Sequence, residues 1–539
     1  MQKPIEAHWL DPRYPRDIAE RCRQIEAEPL PPSTAALLDE AADEVPRQLA
    51  LQFIDSGEQL DYAELRQCVN RFAAGLFAAG VRKGTRVAVM LPNVPQFPIS
   101  WLALGRLGAV MVPANTGYTG RELGYLVNDA QVHYLIIADA YRDVLDSMND
   151  RPAQLSQDRV IVLGEPAAGQ LSWQTLHDAG DPAFQAPEPV GLDDLCNIQY
   201  TSGTTGFPKG CLLTHRYWTS IGKVNSARDG LRYERILTAT PFYYMDPQWL
   251  LLMTFYQRAT LFMAARQSAS RFSTWLSRYR IHFCQLPAEA AFKQPPTPFD
   301  ADNEVRRANV YGMRGQIHAE VEQRFNLNAR EAFGMTEIGS TLFVPLEAEH
   351  MIGSGSCGIP GPFREVRIVN GELQVRGPGI LLGYYNRPDA TREAFDDGWF
   401  RTGDLFHQDE NGWYYIVGRL KDMVRRASEN IPAREVESVL RAMPEIADVA
   451  VVPVPDEMRK EEVKVYVILE PGLSASDVPP ERIIAHARLH LAQFKVPRYV
   501  EYCDEFPRTP SGKVRKQEMI AAKADLRSGS WDRVDGIWR

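Results

Sequence analysis

Seven cysteines are spread over 539 residues, at Cys22, Cys68, Cys196, Cys211, Cys284, Cys357 and Cys503, and no two form a Cys-x-x-Cys pair. The odd count and wide spacing exclude a disulfide framework and a zinc-finger type of site. Free thiols in a reducing cytoplasm are the expectation. Long apolar runs are also missing. The most apolar stretch, 87–113, is broken by Pro92, Pro95, Pro98 and Arg106, so no membrane span is expected. The first sixteen residues carry Pro, Glu, Asp and His and no apolar core, which excludes a secretory signal there. Positive charge is not in excess: the formal net charge is −9, against a nucleic-acid partner, whose binders present basic surfaces. There are no internal repeats. What remains is an ordinary globular composition, 45% hydrophobic and 24% charged, long enough for roughly three to four structural units.

Elements alternate along the first three hundred residues. Leu65, Val69, Phe72 and Leu76 recur at helical spacing before Gly80, and 86–91 then reads as a buried strand. A helix over 99–107 stops at Gly108 and leads into a strand at 109–112. Further buried strands are expected at 132–138 and 160–163. Such alternation predicts an α/β fold of layered sheets with parallel strands. From about residue 345 short strands with Gly turns suggest a β-rich subdomain. The segment 420–422 reads as a hinge, and the last ~120 residues read as a compact α+β unit of ordinary domain size. The expected division is therefore 1–419, with the β-rich part at 345–419, then 420–422, then a mobile domain at 423–539.

The densest chemistry lies at 200–210, Tyr-Thr-Ser-Gly-Thr-Thr-Gly-Phe-Pro-Lys-Gly. Gly203 and Gly206 permit backbone conformations that a Cβ forbids. Successive N–H groups there can converge on an anion. Thr201, Ser202, Thr204 and Thr205 add hydroxyls and Lys209 adds a mobile cation. This suits a polyphosphate. The loop is not a Walker A motif, which needs Gly-Lys followed by Ser or Thr; here Gly210 follows Lys209.

Four further motifs follow in order: Phe333-Gly334-Met335-Thr336-Glu337, Phe400-Arg401-Thr402-Gly403-Asp404, Gly418-Arg419-Leu420-Lys421-Asp422 and Pro510-Ser511-Gly512-Lys513. The set and its order resemble the adenylate-forming superfamily of acyl-CoA synthetases, adenylation domains and luciferases, over about residues 35–520. The resemblance implies activation of a carboxylic acid by ATP and Mg²⁺, with pyrophosphate released, and transfer of the acyl group to CoA. It implies that residues 201–209 embrace the β- and γ-phosphates. Thr336 then bonds the α-phosphate and Glu337 helps hold Mg²⁺. Phe333, with Gly334 and Met335, offers a face to adenine. Asp404 and Arg419 take the ribose, and Lys513 bridges carboxylate and α-phosphate. Lys421 is the implied hinge about which the last domain rotates, bringing 425–431 to the thiol.

Two departures stand out. Relatives usually carry Gly at the position of Ser428 and often Ser or Gly at that of Ala427, both implied to line the thiol tunnel. That leaves open an amine acceptor, giving an amide. Relatives also show a Gly-Gly-Ala-like run where this chain has Met313-Arg314-Gly315, so Arg314 either faces out or lines the acyl pocket. The implied pocket includes Tyr244, Met245, Trp249 and Gly339. The run 241–249, Pro-Phe-Tyr-Tyr-Met-Asp-Pro-Gln-Trp, is similar to that of the crotonobetaine/carnitine-CoA ligase branch. It reads either as an aromatic wall for an apolar or aryl acid, or as a cage of Tyr243, Tyr244 and Trp249 with Asp246 around a quaternary ammonium. A homodimer is left open as the assembly.

Overall fold

The computed structural model describes residues 3–148, 150–201, 208–426, 429–509 and 512–539. The described chain forms two compact units. One comprises residues up to 201, 208–365 and 375–400; the other comprises 366–374 and 401–539.

The first unit holds two large sheets. In one, strands β1 (Arg86–Met90), β2 (Val110–Pro113), β3 (Tyr134–Ala138), β4 (Val160–Leu163), β5 (Leu195–Thr201) and β6 (Lys209–Thr214) run in the order β4-β3-β1-β2-β5-β6. β1 to β5 pair in parallel, and β6 folds back antiparallel on β5. Their Val, Ile, Leu and Met side chains are buried on both faces, as parallel strands covered by helices require. In the other sheet β7 (Arg235–Thr238), β8 (Thr260–Met263), β9 (Phe283–Gln285), β10 (Arg307–Val310), β11 (Ala329–Met335) and β12 (Gly339–Phe343) run in the order β12-β11-β10-β9-β7-β8. All pair in parallel except β12, which turns back on β11. The expected α/β layering is what the chain adopts.

Local signals explain the covering helices. Helix α1 (Tyr62–Ala78) opens on a capping box of Asp61 and Glu64 and buries Leu65, Val69, Phe72 and Leu76 on one stripe. Helix α2 (Gln96–Leu107) ends at Gly108, whose φ of 66° suits a residue without a Cβ. Helices α3 (Gly120–Asp129), α4 (His215–Ala227) and α5 (Met245–Gln257) supply side chains to the site.

In the second unit β13, the part of Trp399–Gln408 beyond Phe400, pairs antiparallel with β14 (Tyr414–Arg419). Strands β15 (Ile446–Asp456) and β16 (Lys460–Leu469) form its longest antiparallel ladder. Helices α6 (Ala433–Arg441) and α7 (Pro480–His490) pack on it through Val436, Leu440, Ile483 and Ile484. No helix among the described residues is long and apolar enough to cross a membrane.

Candidate active site

The hairpin β5–β6 places Thr201 opposite Lys209. Ser202, Gly203, Thr204, Thr205 and Gly206, expected to form the phosphate loop, lie outside the described residues. The feet of the loop are held tightly. Tyr200 donates its hydroxyl to Asp129 at 2.7 Å, and Tyr125 donates its own to the Pro208 carbonyl at 2.9 Å. The acceptor Asp129 and the donor Tyr125 both belong to α3, and Arg387 forms an ion pair with the same Asp129.

A second segment lies alongside β6. Leu212 N–H donates to Gly383 O, Leu382 N–H to Leu212 O and Tyr385 N–H to Gly210 O, all within 3.0 Å. This extension delivers Tyr384 to the site. Its hydroxyl donates to Glu337 Oε1 at 3.0 Å, and Lys209 Nζ sits 4.2 Å from the centre of its ring. Burial, and then the charge of Glu337, push the Tyr384 phenol far above its ordinary value, so it stays a neutral donor.

Phe333, Gly334 and Met335 end β11, and Thr336 and Glu337 occupy the turn into β12. Phe333 is half-buried and Gly334 exposed, whereas the Glu337 side chain is buried. The Leu381 N–H donates to the Glu337 carbonyl at 2.8 Å. The structure thus brings Lys209 and Glu337 together through Tyr384, a residue that the sequence reading did not single out. Its sequence signal is only a turn run, Gly383-Tyr384-Tyr385-Asn386-Arg387-Pro388.

In the second unit Asp404 is directly opposite Arg419, and Arg419 Nε donates to its carboxylate at 2.7 Å. Asp404 is buried, and desolvation raises its carboxyl above the ordinary range against the pull of Arg419, Arg434 and Lys513. Lys513 is exposed in a turn whose backbone closes on Thr509, with Thr509 N–H donating to Lys513 O at 2.8 Å. Lys421 falls in the 3-10 turn Leu420–Asp422. Ala427 and Ser428 lie outside the described residues.

The expected acyl residues surround the start of α5. Tyr244 caps this helix, receives a 3.4 Å hydrogen bond from Asn115 Nδ2, and lies 4.7 Å from the Tyr243 ring. Burial pushes its phenol up to about 12. Met245 is the first helical residue, and Trp249 one turn on is buried. Trp249 Nε1 donates to Asp246 Oδ1 at 3.2 Å, and Gln285 Nε2 donates to the same oxygen at 2.8 Å. Two donors therefore converge on one oxygen of Asp246 and fix its orientation. Its charge is one of the lesser causes that raise the phenol of the buried Tyr217, desolvation being the first.

Gly339 faces α4. A Cβ there would meet Ile221 Cδ1 and Arg364 Nη2 at 3.4 Å, and its φ is 66°. Tyr217, Ile221 and Asn225 form one stripe of α4, and Asn225 Nδ2 donates to Ser340 Oγ at 2.9 Å. Arg364 is buried and donates to the Ile338, Phe363 and Pro378 carbonyls, fixing the backbone behind the turn. Arg314 pairs with Glu289 of the short helix Ala288–Phe292 at 3.2 Å, so its charge is engaged there.

No group of three or more His, Cys, Asp or Glu side chains placed to hold a metal ion occurs among the described residues. A metal here would rest on few protein ligands and on its substrate, the mode that suits Mg²⁺. One buried carboxylate with a hydroxyl beside it fits that hard cation.

Two family models match the chain: the AMP-binding enzyme model over residues 38–385 and the AMP-binding enzyme C-terminal domain model over 435–513. The chain belongs to the AMP-binding enzyme family. Among the family's curated members it is 31% identical over 511 residues to a crotonobetaine/carnitine–CoA ligase of Proteus mirabilis, covering 89% of this chain and 97% of the relative. It is 34% identical over 484 residues to a feruloyl-CoA synthase of Amycolatopsis, covering 86% and 94%. Among solved family structures, ATP-bound MatB from Rhodopseudomonas palustris superposes with a TM-score of 0.82 at 26% identity, covering 91% of this chain and 99% of that one. An anthranilate CoA ligase in complex with anthranoyl-AMP shares the fold, with a TM-score of 0.83 at 22% identity, covering 93% and 99%.

Proposed function

We propose that Lys209, Thr336, Glu337 and Lys513 carry the adenylation step of an acid–CoA ligase. The reaction is that of an AMP-forming acid–thiol ligase. ATP converts a carboxylic acid to an acyl-adenylate with release of pyrophosphate, and the acyl group then passes to CoA as a thioester. The observation that carries the assignment is the convergence of Lys209 and Glu337 on Tyr384 beside the β11–β12 turn.

A carboxylate is a poor electrophile, and its attack on the α-phosphorus gathers negative charge. Preorganised cations and donors lower that barrier most. In this reading Lys209 and the loop 201–206 hold the β- and γ-phosphates, and Thr336 donates to the α-phosphate. Glu337 would help hold Mg²⁺, which when bound would supply positive charge to the leaving pyrophosphate. Phe333, Gly334 and Met335 line the adenine. Asp404 accepts from the ribose hydroxyls, and Arg419 both orients that carboxylate and reaches the sugar. Lys513 supplies a point charge on a flexible stem to the reacting carboxylate. Lys421 is the pivot of a domain spanning 423–539, which brings the segment of Ala427 and Ser428 to the thiol. An amine acceptor gains no support, since the curated relatives above are named for CoA thioesters. Seven cysteines, none of them in a disulfide, suit a reducing cytoplasm.

For the acid, Asp246 supports a cage over an apolar wall. A fixed carboxylate among Tyr217, Tyr244, Trp249 and Tyr311 disfavours an apolar or anionic acyl group and favours a cation over aromatic faces. A betaine-type acid, as in the name of the Proteus relative, is the class we assign. Pyrophosphate release over a panel of betaines, aryl acids and medium-chain acids, each with and without CoA, tests both parts. Turnover of betaines with thioester formed on adding CoA is expected. Turnover of aryl acids alone would refute the cage, and pyrophosphate release without any thioester would refute CoA as acceptor.

A further inference from the structure

Tyr384 is neither in the phosphate loop nor in the turn that carries Thr336 and Glu337, yet it touches a residue of each. Its hydroxyl donates to Glu337 Oε1 at 3.0 Å, and its ring lies 4.2 Å beneath Lys209 Nζ. Its residue surface is 7% exposed, so it is not a lid. Its backbone is held on both sides. Cys211 and Tyr384 form an isolated antiparallel bridge, Tyr384 N–H donates to Thr391 Oγ1 at 2.9 Å, and Thr391 Oγ1 donates in turn to the Arg387 carbonyl. Three residues on, Arg387 pairs with Asp129, which also receives the Tyr200 hydroxyl at the start of the phosphate loop. The segment 381–387 is therefore fastened to β6, to the Glu337 turn and to the foot of the loop at once.

We infer that Tyr384 is a positioning residue that sets both ends of the triphosphate site, resting on the functional reading above. Its hydroxyl engages one carboxylate oxygen of Glu337 and so fixes the orientation in which that carboxylate would hold Mg²⁺. The π face seats the Lys209 ammonium, by a cation–ring attraction that strengthens when water is excluded. The two functions separate chemically. Tyr384→Phe removes the hydroxyl and keeps the ring. Tyr384→Leu removes both.

The test combines calorimetric binding of a non-hydrolysable ATP analogue, with Mg²⁺ and with EDTA, and pyrophosphate release as a function of Mg²⁺. For Tyr384→Phe the Mg²⁺ concentration for half-maximal rate rises about threefold to tenfold, and analogue affinity in EDTA stays at the wild-type value. For Tyr384→Leu analogue affinity in EDTA also falls about tenfold. A purely structural tyrosine would lower the melting temperature of both variants and leave the Mg²⁺ dependence alone. Tyr384→Phe is close to isosteric, so it keeps the test open if Tyr384→Leu fails to fold. An unchanged Mg²⁺ profile in Tyr384→Phe overturns this inference alone. A wild-type chain that binds no nucleotide overturns the functional reading and the inference with it.

Discussion

Two buried histidines tie the stability of the first unit to pH. His215, at the start of α4, accepts a hydrogen bond on Nδ1 from the Thr34 N–H at 3.2 Å, and His282 accepts on Nδ1 from the Glu234 N–H at 3.1 Å. Both side chains are fully buried. A backbone donor aimed at Nδ1 requires the neutral ring with its proton on Nε2. Protonation would set two N–H groups against each other. Burial, first, and neighbouring cations lower His215 to about 4 and His282 to about 3. The unfolded chain holds its histidines near about 6.5, so below that pH it binds protons that the folded chain refuses. Stability is full above about pH 6.5 and falls as pH drops through the window down to about 3–4. Between pH 7 and 5 each ring costs about 2 kcal/mol, a large share of a typical margin of about 5–15 kcal/mol. Urea unfolding followed by tryptophan fluorescence at pH 7, 6 and 5 measures the slope. The double variant His215→Asn, His282→Asn retains acceptors for both backbone N–H groups and loses the titration, so its loss of stability between pH 7 and 5 is about 4 kcal/mol smaller than the wild type's. Equal slopes in the two proteins would falsify the argument.

Other expectations bear on catalysis. Lys513→Ala lowers the rate of adenylation at least a hundredfold while far-UV circular dichroism and the melting temperature hold, because Lys513 is exposed; near-normal rates end its assigned role. Asp404→Asn raises the KM for ATP about tenfold to a hundredfold, the worth of about 1.5–3 kcal/mol for hydrogen bonds to a charged group. Because burial raises the Asp404 carboxyl, the wild-type KM for ATP climbs as pH falls, starting above the ordinary carboxylate range, and the variant lacks that rise. Asp246→Asn cuts kcat/KM for betaines more than tenfold and leaves small apolar acids unchanged; equal losses for both classes mean that Asp246 serves only to hold Trp249 and Gln285.

Much of the fold was legible because its strands are short apolar runs bounded by turns. The strand at Arg86–Met90 and the helix that stops at Gly108 follow from local chemistry alone. Motif order pointed to the residues proposed for the nucleotide, since Phe333 to Glu337 and Asp404 are close neighbours of glycines in their turns. Tyr384 was not legible. Its partner Glu337 is 47 residues away, and no periodicity marks a residue whose role is set by a long-range backbone bridge. Arg364 was hidden for a similar reason. It follows Gly361-Pro362-Phe363 in the chain, and it is buried and bonded to three carbonyls. Asp246 was read as a member of either an aromatic wall or a cage, and only the structure supplies the two donors that hold it, one of them from Gln285 on β9.

The central claim is that an acyl-adenylate lies between acid and thioester. Supplying the acid with ¹⁸O in its carboxylate, together with ATP and CoA, and weighing the nucleotide product by mass spectrometry tests it directly. Attack of the carboxylate oxygen on the α-phosphorus, followed by thiol attack on the carbonyl carbon, leaves one carboxylate oxygen on the phosphate. The account predicts AMP carrying one ¹⁸O per thioester formed. Unlabelled AMP, or label in inorganic phosphate with ADP as the nucleotide, would contradict it.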